Sequence, residues 1–255
     1  MRRTVGLSAV LFAGLIMAAC VPPGTPVEPV DTTLPYTNNA EKKIELHVVV
    51  DSAQWVAMGQ DETVLRNELY AVFSRVNEMF ASITSTTIDV NVTDVTVFNV
   101  DPYGLTRYPD ALDSEVNVAD LLTDFTTWKN AQGLGDFAML YSALDFEGSV
   151  LAYAQVAGSS SIVQATSDDD YHNALTVAHS LGHNLGMQHD SAGNACPASG
   201  YVMAAVMSGV PPSGFSSCSQ SSYDSYLSTN RAFLDNIPTR DFFTEHRAIN
   251  YVGDN

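Results

Sequence analysis

Residues 178–190 read AHSLGHNLGMQHD, and this stretch decides how the rest of the chain is read. His179 and His183 are four apart, so on a helix their imidazoles lie on one face. Gly186 stands where the chain must leave that helix, and His189 follows three residues later. Three neutral imidazoles, two from a helix and one from beyond its end, make a zinc site with one coordination position open. The alternative is a helix with idle histidines. With six His and sixteen Gly in 255 residues, such spacing arises by chance with a probability on the order of a few in ten thousand. His47, His172 and His246 show no ligand spacing and read as structural or solvated side chains.

The pattern H-x-x-x-H-x-x-G-x-x-H-D resembles the metzincin signature with one departure. The residue after the first His is Glu in that signature and Ser180 in this chain. The stretch resembles in particular the zinc helix of the adamalysin (reprolysin, ADAM-type) metalloendopeptidases, including Asp190 after the third His. Flanking segments extend the resemblance over roughly 44–238. IELHVVVD at 44–51 resembles the family's first strand, and LDFEGSVLAYAQV at 144–156 the strand that borders its substrate cleft. YVMAAVMSG at 201–209 resembles its Met-turn, with Met203 in the place of the methionine beneath the zinc. FSSCS at 215–219 and SYLSTNRAFLDNIP at 225–238 resemble its closing segment. The resemblance implies an α/β, zincin-like metzincin fold. Its parts are a mixed, twisted sheet with long helices, a smaller irregular C-terminal subdomain, and a zinc cleft between them. It also implies supporting roles for Gly186, Asp190 and Met203, with Asp190 turned into the lower subdomain.

The departure at Ser180 bears on chemistry. In the family, water placed on Zn²⁺ is activated by the missing Glu, and such general acid–base assistance is worth roughly 10²–10⁴ in rate. A hydroxyl is a far poorer base and carries no charge to hold a leaving ammonium. Nor is a base–orienter pair evident that would make Ser180 a nucleophile. Every Glu codon differs from every Ser codon by more than one base, so a single misread does not account for the change. Glu147 precedes the cleft strand and is not placed to reach the metal. Two readings follow. One is an exported adamalysin-like zinc metalloendopeptidase, hydrolysing peptide bonds by zinc-bound water, with severely impaired activity. The other is a pseudopeptidase, a zinc-stabilised module that holds an extended peptide or protein along 149–156 by strand addition.

The balance of 29 acidic to 11 basic residues, a net charge of −18, argues against a nucleic-acid partner, because phosphate contacts need Lys and Arg. It suits solubility outside the cytoplasm. Arg2 and Arg3, the apolar stretch LSAVLFAGLIM at 7–17 and MAAC at 17–20 form an export signal too short to span a membrane. Small residues before Cys20 resemble a bacterial lipoprotein signal, with Met17 in place of the usual Leu; an ordinary signal peptide is the alternative. Residues 21–40 carry five Pro and read as an extended tether. The expected organisation is a signal at 1–20, a tether at 21–40, the peptidase-like domain at 41–238 and a C-terminal tail at 239–255. Membrane contact is expected through a lipid on Cys20 alone, at the outer membrane or surface of a bacterial envelope.

Cys196 and Cys218 can pair, which leaves Cys20 odd in an exported chain, where a spare thiol needs a role. The resemblance implies that same pair, tying the loop after the third ligand to the segment beyond the Met-turn. The family usually adds another bridge, where this chain has Ala157-Gly158 and Phe233. Some relatives also hold Ca²⁺ behind the sheet, and Glu45, Asp136 and Asn236 occupy matching positions with the oxygen ligands that ion needs. Three ordinary polar residues are an equal alternative. The run Asp168, Asp169, Asp170 suits a helix N-terminus.

Periodicity supplies the elements. Strands are expected at 44–50, 87–99, 136–142 and 149–156. Helices are expected from Asp61 to about Thr84, from Val116 to Asn130, from Tyr171 to Gly186 and over 221–234.

Overall fold

A computed structural model describes residues 42–102, 115–134, 136–166, 170–207, 211–230, 234 and 240–253. Cys20, Asn236, Asp168 and Asp169, and the expected signal and tether, lie outside the described residues.

The described residues begin with strand β1, Lys42–Val50, whose alternating burial gives way to the fully buried run Val48, Val49, Val50. That change marks a strand covered on both faces, as parallel sheets require. Asp51 ends the strand and caps the short helix α1, Ser52–Ala57, by accepting from the Gln54 N–H. Helix α2, Glu62–Phe80, is capped by Asp61 and buries Leu65, Leu69, Val72, Phe73 and Val76 along one stripe. Strand β2, Ile88–Phe98, then runs parallel beside β1. Helix α3, Val118–Gln132, and strand β3, Phe137–Ser142, place β3 on the other side of β1, again parallel.

Asn117 caps α3, and Glu147 completes that cap: its carboxylate accepts from the Asn117 side chain at 3.0 Å and from the Val118 N–H at 3.3 Å. Strand β4, Ala152–Ala154, is antiparallel to β5, Ser160–Gln164, which pairs in parallel with β3. Helix α4, Asp170–Asn184, carries the first two histidines of the ligand motif. Helix α5, Ser217–Thr229, is capped by Ser216, and strand β6, Asn250–Val252, joins β2. The mixed sheet has the order β4-β5-β3-β1-β2-β6, which leaves β4 at one edge.

The two faces are filled differently. On one, Leu121, Leu122 and Phe125 of α3 pack on Val49, Phe98, Ala138, Leu140 and Ile162. On the other, α2 lies under the sheet, where Tyr141 donates to Glu68, and α4 packs against α2, β4 and β5.

Several expectations are corrected. The cleft-edge strand is shorter than 149–156, and α5 starts before residue 221 and ends before 234. Residues 239–255 are not merely a tail: Phe242 and Phe243 are buried and β6 is an edge of the sheet. Strand β5 and helix α1 had no counterpart in the periodicity.

Candidate metal centre

The last turn of α4 fixes the geometry. Gly186 has φ of 85°, a left-handed conformation open to glycine at little cost. Its N–H donates to the His183 carbonyl, and that of Met187 reaches back to the Gly182 carbonyl, both at 2.9 Å. This pair of bonds is a Schellman closure. It brings the Met187 carbonyl to His183 Nδ1 at 2.8 Å. The Val202 carbonyl stands at the same distance from His179 Nδ1. A carbonyl oxygen only accepts, so both rings carry their proton on Nδ1 and present a bare Nε2 lone pair.

Those lone pairs converge. His189 Nε2 lies 3.2 Å from His179 Nε2 and 3.1 Å from His183 Nε2. Nitrogens bound about 2.0–2.1 Å from a tetrahedral zinc stand about 3.3 Å apart. The observed separations match that spacing, and His179 and His183 both aim bare Nε2 lone pairs at the point they share with His189. The residues present fit zinc. Burial, followed by the charge of His183, pushes the His179 pKa down to about 4, against the opposing hydrogen bond to Val202. Burial likewise lowers His183. Both rings are held neutral, the form a metal needs.

The segment below the ligands is built onto the same helix. A Cβ on Gly182 would stand 2.5 Å from Met203 Sδ, so only glycine lets Met203 lie against α4 at that depth. The Met203 carbonyl accepts from the Asp190 N–H at 2.9 Å. The buried Asp190 carboxylate accepts from Ser216 Oγ at 2.5 Å, and thereby ties the end of the ligand loop to the α5 cap. Asn194 donates to the His189 carbonyl at 2.9 Å. The Cys196–Cys218 disulfide closes this loop on α5. Such a bridge stabilises by roughly 2–4 kcal/mol.

A family model for the "Reprolysin (M12B) family zinc metalloprotease" matches residues 42–238. The chain belongs to the reprolysin family. A "Zinc metalloproteinase-disintegrin-like" protein of Cerberus rynchops is 31% identical over 196 residues, which cover 73% of this chain. The match spans only 30% of that relative's length. A solved chain titled "Structure of a chaperone-substrate complex" overlaps 74% of this chain and 36% of its own, at TM-score 0.48 and 14% identity. That overlap is too loose to support an argument.

Within this reprolysin domain, Ser180 is fully buried and its Oγ has no hydrogen-bond partner among the described residues. The β4 edge is coupled to the histidine helix through the turn after β4. The Ala157 N–H donates to the His183 carbonyl at 2.8 Å, and Asn184 Nδ2 donates to the Gln155 and Ser160 carbonyls at 3.3 and 3.1 Å. Tyr153 and Val156 leave 42% and 41% of their surface exposed on this edge.

Glu45 and Asp136 come near enough that, after burial, the Asp136 charge raises the Glu45 pKa. Arg240 acts on Glu45 in the opposite sense, and Lys129 Nζ bonds the Asp136 carbonyl at 3.4 Å. A further cavity of about 350 Å³ lies between Asp136, Gly158, Ser160 and Tyr226, away from the three histidines. Gly182 was missed by the motif reading, although a glycine inside a helical pattern is itself a sign of close packing.

Proposed function

We propose that this reprolysin domain is a peptidase-derived zinc module whose hydrolysis is severely impaired. The observation that carries the reading is the pairing of a complete three-nitrogen cage with a buried serine at position 180. Zinc held by His179, His183 and His189 would polarise a peptide carbonyl and acidify water. The chain's own residues supply the remainder. Val202 and Met187 orient the rings, Met203 and Gly182 set the floor, and β4 offers an open edge for an extended peptide. Position 180, where the family's Glu takes a proton and returns it to the leaving amine, is a serine in this chain. No charge on Ser180 can fill that role.

The second reading is a binding module without turnover, and the exposed Tyr153 and Val156 on the β4 edge favour it. Export fits the disulfide, which needs an oxidising compartment, and lipidation at Cys20 belongs to the same proposal. Among the described residues no helix is long and apolar enough to cross a membrane. Calcium is left out of the proposal, since Arg240 and Lys129 already stand beside Glu45 and Asp136.

The test is cleavage of an unstructured protein by the zinc-loaded chain, together with its binding of the same substrate. Weak but measurable turnover with one zinc per chain is expected. Turnover at rates ordinary for a zinc endopeptidase contradicts the reading, and binding without any turnover moves it to the second form.

A further inference from the structure

Hydroxyls inside the helices of this chain commonly donate to the carbonyl one turn back. Ser74 bonds Tyr70, Thr123 bonds Ala119, Thr127 bonds Thr123, and Thr176 bonds His172, at 2.7–2.9 Å. Ser180 does not. Its Oγ makes no bond to the Thr176 carbonyl and ends, fully buried, without a partner among the described residues.

Two other buried atoms without a partner among the described residues lie on α4 and on β5, which packs against it. Asn184 lies one turn beyond Ser180 on the same face of α4. Its amide nitrogen bonds the Gln155 and Ser160 carbonyls, which fixes the orientation of the group and leaves Oδ1 without a donor. Ser161 follows Ser160 on β5. Ile162 packs on the α3 side of the sheet, so strand alternation points Ser161 to the opposite face. That face is the one α2 and α4 cover. Ser161 Oγ is also buried and unpartnered.

Leaving a buried donor or acceptor unmade is costly, and three on one seam is hard to sustain in dry packing. A single buried water makes about three hydrogen bonds and resolves such a cluster. It can donate to Asn184 Oδ1 and accept from, or donate to, the two hydroxyls. The three groups are neutral and mix donor with acceptor character, which suits water and not an ion. We infer that the α4–β5 seam is a hydrated niche, with ordered water held by Ser180 Oγ, Asn184 Oδ1 and Ser161 Oγ beside the first ligand. Residue 180 therefore stands against solvent inside the domain, although it has no accessible surface of its own.

The direct test is a crystal structure of the zinc-loaded full chain at a resolution that orders solvent. A water within about 3.2 Å of at least two of the three atoms is expected. A dry seam, with Ser180 Oγ donating to the Thr176 carbonyl, overturns the inference. The Ser161→Ala/Ser180→Ala double variant supplies a second readout that does not depend on activity. Loss of two of the water's partners should lower the melting temperature by several degrees. In a dry seam the same change removes two unsatisfied hydroxyls, so a double variant that melts at or above the parent temperature also overturns the inference.

Discussion

Met203 Sδ occupies the space beside Gly182 where any other residue would carry its Cβ, which would stand only 2.5 Å away. The contact joins two segments, each of which positions a ligand ring: Val202 orients His179, and the turn from Gly182 to Met187 orients His183. Packing and metal geometry are therefore one problem in this domain.

Gly182→Ala tests that link. Alanine gains about 1 kcal/mol of helix propensity, but overpacking against Met203 and Phe215 costs about 1–3 kcal/mol. The collision at Met203 involves a thioether already buried on both sides, so we expect net destabilisation by urea unfolding, with weaker zinc binding. An alanine variant that is more stable and binds zinc unchanged contradicts the tight fit.

Ala157 has φ of 58° while its N–H holds the His183 carbonyl. A non-glycine residue in this conformation costs on the order of 1–2 kcal/mol, offset in part by glycine's greater freedom when unfolded. Ala157→Gly should therefore raise stability by about 0.5–1 kcal/mol with the hydrogen bond kept. Ala157→Pro, which lacks the N–H, should lower it. Thermal melts of the two variants check the signs.

Asp51 gives a pH dependence. Burial, then repulsion from Asp101, pushes its pKa up to about 7, against hydrogen bonds from Ser142, Gln54 and Ala143. The folded state binds this proton more tightly than the unfolded chain, whose Asp titrates near about 4. Stability from this group is thus fully present below about pH 4 and is lost as pH rises through about 7. Asn caps a helix as well as Asp, so Asp51→Asn should flatten that fall. Denaturant unfolding from pH 4 to 8 should show the gap between variant and parent widening upward. A constant gap contradicts the assignment.

Chelation should lower the melting temperature of the parent, because a metal bound only by the folded state stabilises it by mass action. His183→Ala should melt lower and respond little to chelator or added zinc. Equal responses in the two proteins would mean that the metal sits elsewhere.

Much of the centre was legible in the sequence because its information is local. His179 and His183 need only helical spacing, Gly186 only a turn that glycine can make, and His189 a short connection after it. Met203 was reached through the family resemblance, and the disulfide through cysteine arithmetic as well as that resemblance. What escaped was tertiary or short. Strand β5 reads SSIVQ, too brief and too serine-rich to signal a buried strand; β3 and β4 close its edges, and α3 and α4 pack on it. The start of α5 was hidden in a run of serines, where the cap at Ser216 is recognisable only from its bond to the Ser219 N–H. Strand β6 has three residues and owes its existence to β2.

The central claim is that the cage is complete and the base is missing, and Ser180→Glu tests it most directly. Cleavage of an unstructured protein is measured for zinc-loaded parent, Ser180→Glu and Ser180→Gln, with zinc content and folding checked in each. A carboxylate beside the first ligand should raise the rate by roughly 10²–10⁴, about 3–5 kcal/mol off the barrier. The glutamine variant restores side-chain size without the charge and should stay near the parent. A parent that already cleaves as fast as the glutamate variant, or a folded, zinc-loaded glutamate variant that cleaves nothing, would contradict the account.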